Sequence, residues 1–197
     1  MREIALLAPS SVLSSGEAGV VTRFVVGALL LSHGARSDVR AILLFDGGNC
    51  VSFEGCSMRN VRPDEQSLLG IIRAGQKRLQ DPMKVGKRGV DRGQAGAVGH
   101  IERRRIMQGI NAFNLPLQDY VENAKGTKVF YGGGGGRTVD LHQDFTAFFQ
   151  YPALDRELQQ TLCRNGFVPV RLGGCQLAPD QASVVLNNLA DRAGTAS

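Results

Sequence analysis

Five consecutive glycines, Gly132 to Gly136, follow the run "KVFY" and precede Arg137 and Thr138. Glycine loops after a strand can cradle phosphates with backbone N–H groups, so nucleotide binding is the first chemistry to test. The pattern G-x-x-x-x-G-K-[ST], counted back from Gly136, requires glycine where Tyr131 stands and lysine where Arg137 stands. The pattern G-x-G-x-x-G, begun at Gly132 and Gly134, ends on Arg137. Both fail at a position that matters. What is left is a loop whose backbone can approach a ligand closely, either a plain connection or one beside a cofactor.

The second candidate chemistry is recognition of a polyanion. Lys+Arg number 23 against 18 Asp+Glu, a net charge of +5. Lys84, Lys87, Arg88 and Arg92 fall in a basic, glycine-rich stretch over 81–99, and Arg103, Arg104 and Arg105 follow it. Such a stretch suits RNA phosphates or forms a solvated charged loop. It lacks interleaved aromatics, so base stacking there has no support. The four cysteines, Cys50, Cys56, Cys163 and Cys175, show no C-x-x-C pairing, which argues against a zinc site and a disulfide framework. They read as reduced intracellular thiols. No metal is expected. No signal segment opens the chain and no apolar run approaches a membrane span, so a cytoplasmic protein is expected.

The elements that must position these residues alternate. "REIALLA" (2–8) is an apolar strand, and the polar stretch 10–19 a loop. "VVTRFVVGALLLSH" (20–33) is a helix apolar around most of its circumference. "DVRAILLF" (38–45) and "CVSFEG" are strands joined by the turn "DGGN". A helix spans 62–79, with Pro63 in its first turn and Lys77 and Arg78 near its end. A flexible basic loop covers 81–99. A helix follows Pro116, strands cover "TKVFY" and 144–151, and a helix over 153–166 closes at Gly166. "FVPVRL" is a strand, "GGCQL" a tight loop, and 178–192 a terminal helix. The class is α/β, one domain over 1–197, with a largely parallel sheet and an antiparallel edge.

Three segments in this order resemble one family: "FVVGALLLSHGARSDV", a helix ending in S-H-x-x-R-x-D-V before a strand; "RNVRPDEQSLLGIIRAGQKRL"; and "VPVRLGGCQLAPDQASVVLNNLADR", with N-N-x-x-D in its helix. The chain resembles a divergent member of the archaeal tRNA pseudouridine N1-methyltransferases of the SPOUT superfamily. The resemblance runs from Met1 to Arg192 and is weakest between Pro82 and Gly99. It implies a C-terminal deep trefoil knot, an exception to unknotted topology. It further implies a homodimer, S-adenosyl-L-methionine bound at the knot, and methylation of N1 of pseudouridine at position 54 in the tRNA T loop.

Carried over by residue, the cofactor loop falls on Leu172, Gly173, Gly174, Cys175, Gln176 and Leu177. Its backbone would bond the adenine edge while Leu172 and Leu177 enclose the ring. Gly132 stands where members have a leucine that contacts the cofactor. Arg36 and Asp38 fall on the substrate side. Arg36 would hold a phosphate or base edge, and Asp38 would accept the N1 proton or orient the base. Without the resemblance, the two read as an ion pair at a helix end. The RNA side falls on Arg88, Arg92, Arg103, Arg104 and Arg105. The chain departs from the family at the glycine run, at "FFQYP" in place of G-D-H, and near Ala182, where members carry a cysteine. Bulky Phe149 or Gln150 would crowd the donor pocket. A catalytically impaired RNA-binding relative is therefore the alternative, and a nucleotide-binding protein using the glycine run a third.

Overall fold

The computed structural model describes residues 1–31, 34–59, 61–80, 101–132, 136, 137, 141 and 144–195. The basic loop with Arg88 and Arg92, His33, and glycines 133–135 lie outside the described residues.

In chain order the elements are β1 (Arg2–Ala8), α1 (Ala18–Leu29), the short pair β2 (Leu30–Leu31) and β3 (Gly34–Ala35), β4 (Val39–Phe45), β5 (Asn49–Glu54) and α2 (Glu65–Gln80). Then follow β6 (Arg104–Met107), β7 (Ile110–Asn114), α3 (Leu117–Asn123), β8 (Thr127–Phe130), β9 (Phe145–Gln150), α4 (Arg156–Arg164), β10 (Val168–Pro169) and α5 (Pro179–Thr195). Eight strands form one mixed sheet in the order β10-β8-β9-β1-β4-β5-β7-β6. The five strands from β10 to β4 are mutually parallel, and β5, β7 and β6 complete the sheet antiparallel.

β1 and β4 are apolar at nearly every position because both of their faces are covered, as central parallel strands require. On one face α1, α2 and α5 bury Phe24, Leu68, Ile72, Ala182 and Leu186. On the other, α3 and α4 bury Tyr120, Val121, Leu158 and Leu162 against Phe148 and Phe167.

Two local expectations need correction, and one stretch without an assigned element gains one. The helix over 20–33 ends at Leu29, and Leu30 is extended at φ −90°, ψ 139°. Asn187 Nδ2 from α5 donates to the Ala28 carbonyl at 2.9 Å, satisfying a carbonyl that the helix end leaves open. The helix over 62–79 starts later, at Glu65, so Pro63 precedes it. Asp64 accepts the Ser67 N–H at 2.8 Å, the bond of a helix-capping carboxylate. The stretch 104–114 forms a hairpin, with Met107 opposite Ile110 and Gly109 at φ 75° in its turn.

The glycine run ends against β10. Arg137 bridges Val170 in parallel, its N–H donating to the Pro169 carbonyl and its carbonyl accepting from Arg171 N–H, both at 3.1 Å. On its other side, Val170 N–H donates to Phe130 of β8 at 2.9 Å. Val170 is thus held between β8 and the segment at Arg137. Gly136 has φ +143°, and a Cβ there would lie 2.6 Å from the Val170 carbonyl carbon. Only glycine allows that approach.

Candidate active site

The carboxyl ends of β8, β9 and β10 lead into Tyr131, Tyr151 and Leu172. In open α/β sheets ligands bind at this edge. Leu172 is buried, Leu177 packs against the same core, and Gly173 to Gln176 are exposed between them. Tyr131 is 8% exposed, and its hydroxyl accepts the Leu177 N–H at 2.8 Å. That bond ties the far end of the loop to the end of β8. A Cβ built on Gly173 or Gly174 meets nothing within 4 Å, so this backbone faces open space over an apolar base. Gly132 is exposed at the end of β8. An apolar base under bare backbone suits an adenine ring.

Phe149 does not stand in that space. Its ring is buried in the core, 5.5 Å from Phe24 and 6.0 Å from Tyr131, centroid to centroid. Gln150 points to the other sheet face, where its Oε1 accepts the Asp155 N–H at 3.2 Å. Strand alternation separates the two side chains and keeps both from the loop. Ala182 is fully buried on the inner side of α5.

Arg36 and Asp38 lie at the opposite edge of the sheet, in the turn entering β4. Arg36 N–H donates to the Leu29 carbonyl at 2.8 Å, which anchors the turn to the end of α1. Gly55 lets β5 close on it, because a Cβ there would sit 1.9 Å from the Arg36 carbonyl oxygen. The two side chains do not pair with each other as the simplest sequence reading holds. Arg36 Nη1 is 2.6 Å from Asp191 Oδ2, and Asp38 Oδ2 is 3.3 Å from Arg2 Nε. Arg2 Nη1 reaches Asp191 Oδ1 at 2.5 Å. Arg2 and Asp191 are therefore the partners of Asp38 and Arg36 that sequence reasoning missed; the N-N-x-x-D motif ends on Asp191 and was the one signal available. Arg2 is 5% exposed, and a buried charge of this kind must be paired. Burial works against ionisation of Asp191. Hydrogen bonds from Arg2 and Arg36, with their charge, outweigh it and hold the carboxyl below its ordinary value.

The three arginines before β7 do not form one ridge. Arg103 stacks over Phe113 at 5.4 Å to the ring centroid. Arg104 donates to the Arg78 carbonyl and Arg78 to the Arg105 carbonyl, fastening α2 to β6. Arg105 is exposed.

Among the described residues no cluster of His, Cys, Asp and Glu could hold a metal ion, and no helix is long and apolar enough to cross a membrane. Burial pushes the Cys50 thiol up to about 12, so it is neutral and inert at physiological pH.

The described fold is a mostly parallel mixed α/β sheet. It matches the crystal structure of Archaeoglobus fulgidus Nep1 bound to S-adenosylhomocysteine with a TM-score of 0.56 at 14% identity, covering 89% of this chain and 70% of that one. No family model matches the chain. The chain is 25% identical over 193 residues to a Haloferax volcanii protein named tRNA (pseudouridine(54)-N(1))-methyltransferase, covering 91% of this chain and 85% of that protein. A Methanosarcina acetivorans protein of the same name is 25% identical over 189 residues, covering 91% and 81%. A third, from Haloarcula marismortui, is 40% identical over 60 residues, 30% of each chain. The chain is a divergent relative of these archaeal tRNA methyltransferases, as the three sequence segments imply.

Proposed function

We propose that the protein is an S-adenosylmethionine-dependent RNA methyltransferase that methylates N1 of pseudouridine 54 in the tRNA T loop. The observation that carries this reading is similarity along nine-tenths of the chain to proteins named for that reaction. The loop Leu172–Leu177 and Gly132 hold the cofactor, and the open backbone at Gly173 and Gly174 leaves room for it. S-adenosylmethionine supplies a sulfonium-activated methyl group and leaves as S-adenosylhomocysteine once the methyl carbon is bonded to N1. Asp38 accepts the proton that N1 gives up, and Arg36 holds the base edge or an adjacent phosphate. N1 is a fairly acidic imide-type nitrogen, so positioning supplies most of the rate. Arg103, Arg104 and Arg105, with Arg88 and Arg92 outside the described residues, attract the RNA backbone.

A deep trefoil knot belongs to this reading. Its support is the clasp on Val170 between β8 and Arg137, together with the change of sheet face from α4 before β10 to α5 after it. So does a homodimer. β1 separates the edge of Arg2 and Asp38 from the cofactor edge by roughly 20 Å. One chain does not bring Asp38 to its own loop. Two copies packed through antiparallel α5 helices would, because α5 carries the loop before its first turn and Asp191 near its last. Val184 and Leu189 on α5 are 50% and 42% exposed, and they supply apolar surface for that contact. The whole chain works as one unit in this reading, in the cytoplasm with its tRNA.

Titration calorimetry with S-adenosylmethionine tests the donor site. Micromolar affinity is the expected result. No heat at millimolar ligand would contradict the reading and favour a catalytically impaired RNA-binding relative, the alternative that the glycine run in place of leucine supports.

A further inference from the structure

Asp191 lies 189 residues after Arg2 and 155 after Arg36, yet its two carboxylate oxygens take one guanidinium each. We infer that Asp191 is a positioning residue for methyl transfer, aligning Arg36 directly and Asp38 through Arg2. The inference rests on the methyltransferase reading above.

An arginine side chain unrestrained at a turn samples many rotamers. Charge-assisted bonds to a carboxylate confine it. Arg2 is buried at the start of β1, and its guanidinium takes its orientation from the bond to Asp191. Its backbone N–H donates to the Asp38 carbonyl at 2.8 Å, and its Nε stands 3.3 Å from the Asp38 carboxylate. One carboxylate on α5 therefore sets both substrate-side groups against the sheet edge. Asp191 is 41% exposed and is not needed to hold α5 in place. That helix is already fixed by buried Ala182, Leu186 and Ala190, by Asn187 on the end of α1, and by the 3.0 Å pair of Arg23 with Asp180.

The test uses the full-length protein, S-adenosylmethionine and a T-arm stem-loop RNA carrying pseudouridine at position 54. Asp191→Asn is expected to lower kcat/KM about tenfold through misplacement. Cofactor affinity should stay at its wild-type value, the urea midpoint should fall only modestly because Arg2 and Asp38 remain paired, and Asp191→Glu should recover part of the rate. On an Arg36→Gln background the same change should cost less than about threefold further, because residues acting together are not additive. Three results would overturn the inference: a wild-type kcat/KM in Asp191→Asn, a loss of cofactor affinity and midpoint in step with activity, or a full tenfold loss on the Arg36→Gln background. A wild-type protein that transfers no methyl group would remove the methyltransferase reading itself, and this role with it.

Discussion

Gly136→Val is expected to cripple folding, while Gly132→Ala, four residues earlier in the same run, leaves stability almost unchanged. At Gly136 the backbone has φ +143°, and a Cβ would meet the Val170 carbonyl carbon at 2.6 Å and the Pro169 carbonyl oxygen at 2.8 Å. Both neighbours are main chain of the strand that the Arg137 segment clasps, so no flexible side chain can yield. The backbone conformation alone costs about 1–3 kcal/mol for a residue with a side chain, and the overlap adds a similar amount. Against a total stability of about 5–15 kcal/mol that is a large fraction. At Gly132 the nearest atoms to a built Cβ are 3.5 Å and farther, an ordinary contact, and an exposed site of this kind tolerates alanine within about 0.5 kcal/mol. Urea unfolding monitored by circular dichroism separates the two. Equal midpoints for both variants would mean that Gly136 does not seat the clasp. The glycine run then has a structural purpose at its last member, which is a different matter from the phosphate loop that its composition first suggests.

Asp38→Asn is expected to lower methyl transfer at least about 100-fold, the scale of a lost proton acceptor, with cofactor affinity unchanged. Asparagine keeps the shape and loses the charge that takes the proton from N1. The lost ion pair with Arg2 is partly exposed, so stability should change by less than about 1 kcal/mol. Full activity would remove the role assigned to Asp38. The same variant tests the proposed dimer. Gly173→Leu fills the open side of the cofactor loop, and it should abolish cofactor binding in its own subunit. Mixed after joint unfolding and refolding, the two inactive variants should recover roughly a quarter of wild-type activity. Half of a random mixture is heterodimer, and each heterodimer of a two-fold assembly keeps one intact site. No recovery would place Asp38 and the loop of one chain in the same site, against the sheet geometry.

Much of the architecture was legible from the residues. Apolar runs marked β1 and β4 as strands, the turn at Asp46–Asn49 joined β4 to β5, and Gly166 closed α4 at φ 83°. Three features were not. The run Leu29–Leu30–Leu31 is uniformly apolar, so no periodicity marks where helix becomes strand; a side chain from α5 decides it. The β6–β7 hairpin carries its own signal in "IMQGINAF", a glycine turn between apolar residues, but the three arginines before it suggested a charged surface. The guanidiniums of Arg103 and Arg104 instead lie against Phe113 and the end of α2, and Arg105 alone is exposed among the three. The cluster of Arg2, Asp38, Arg36 and Asp191 was half legible. The resemblance supplied Arg36 and Asp38, whereas their partners come from the first strand and the last helix, and nothing local in sequence links those. Charge pairing across the ends of a chain is a product of topology.

The most direct test of methylation at pseudouridine 54 is mass analysis of nucleosides from a T-arm RNA after incubation with the protein and S-adenosylmethionine. The account predicts N1-methylpseudouridine at position 54, and none when uridine replaces pseudouridine there. An unmodified pseudouridine in the presence of bound cofactor, or a methyl group on any other nucleoside, would contradict it.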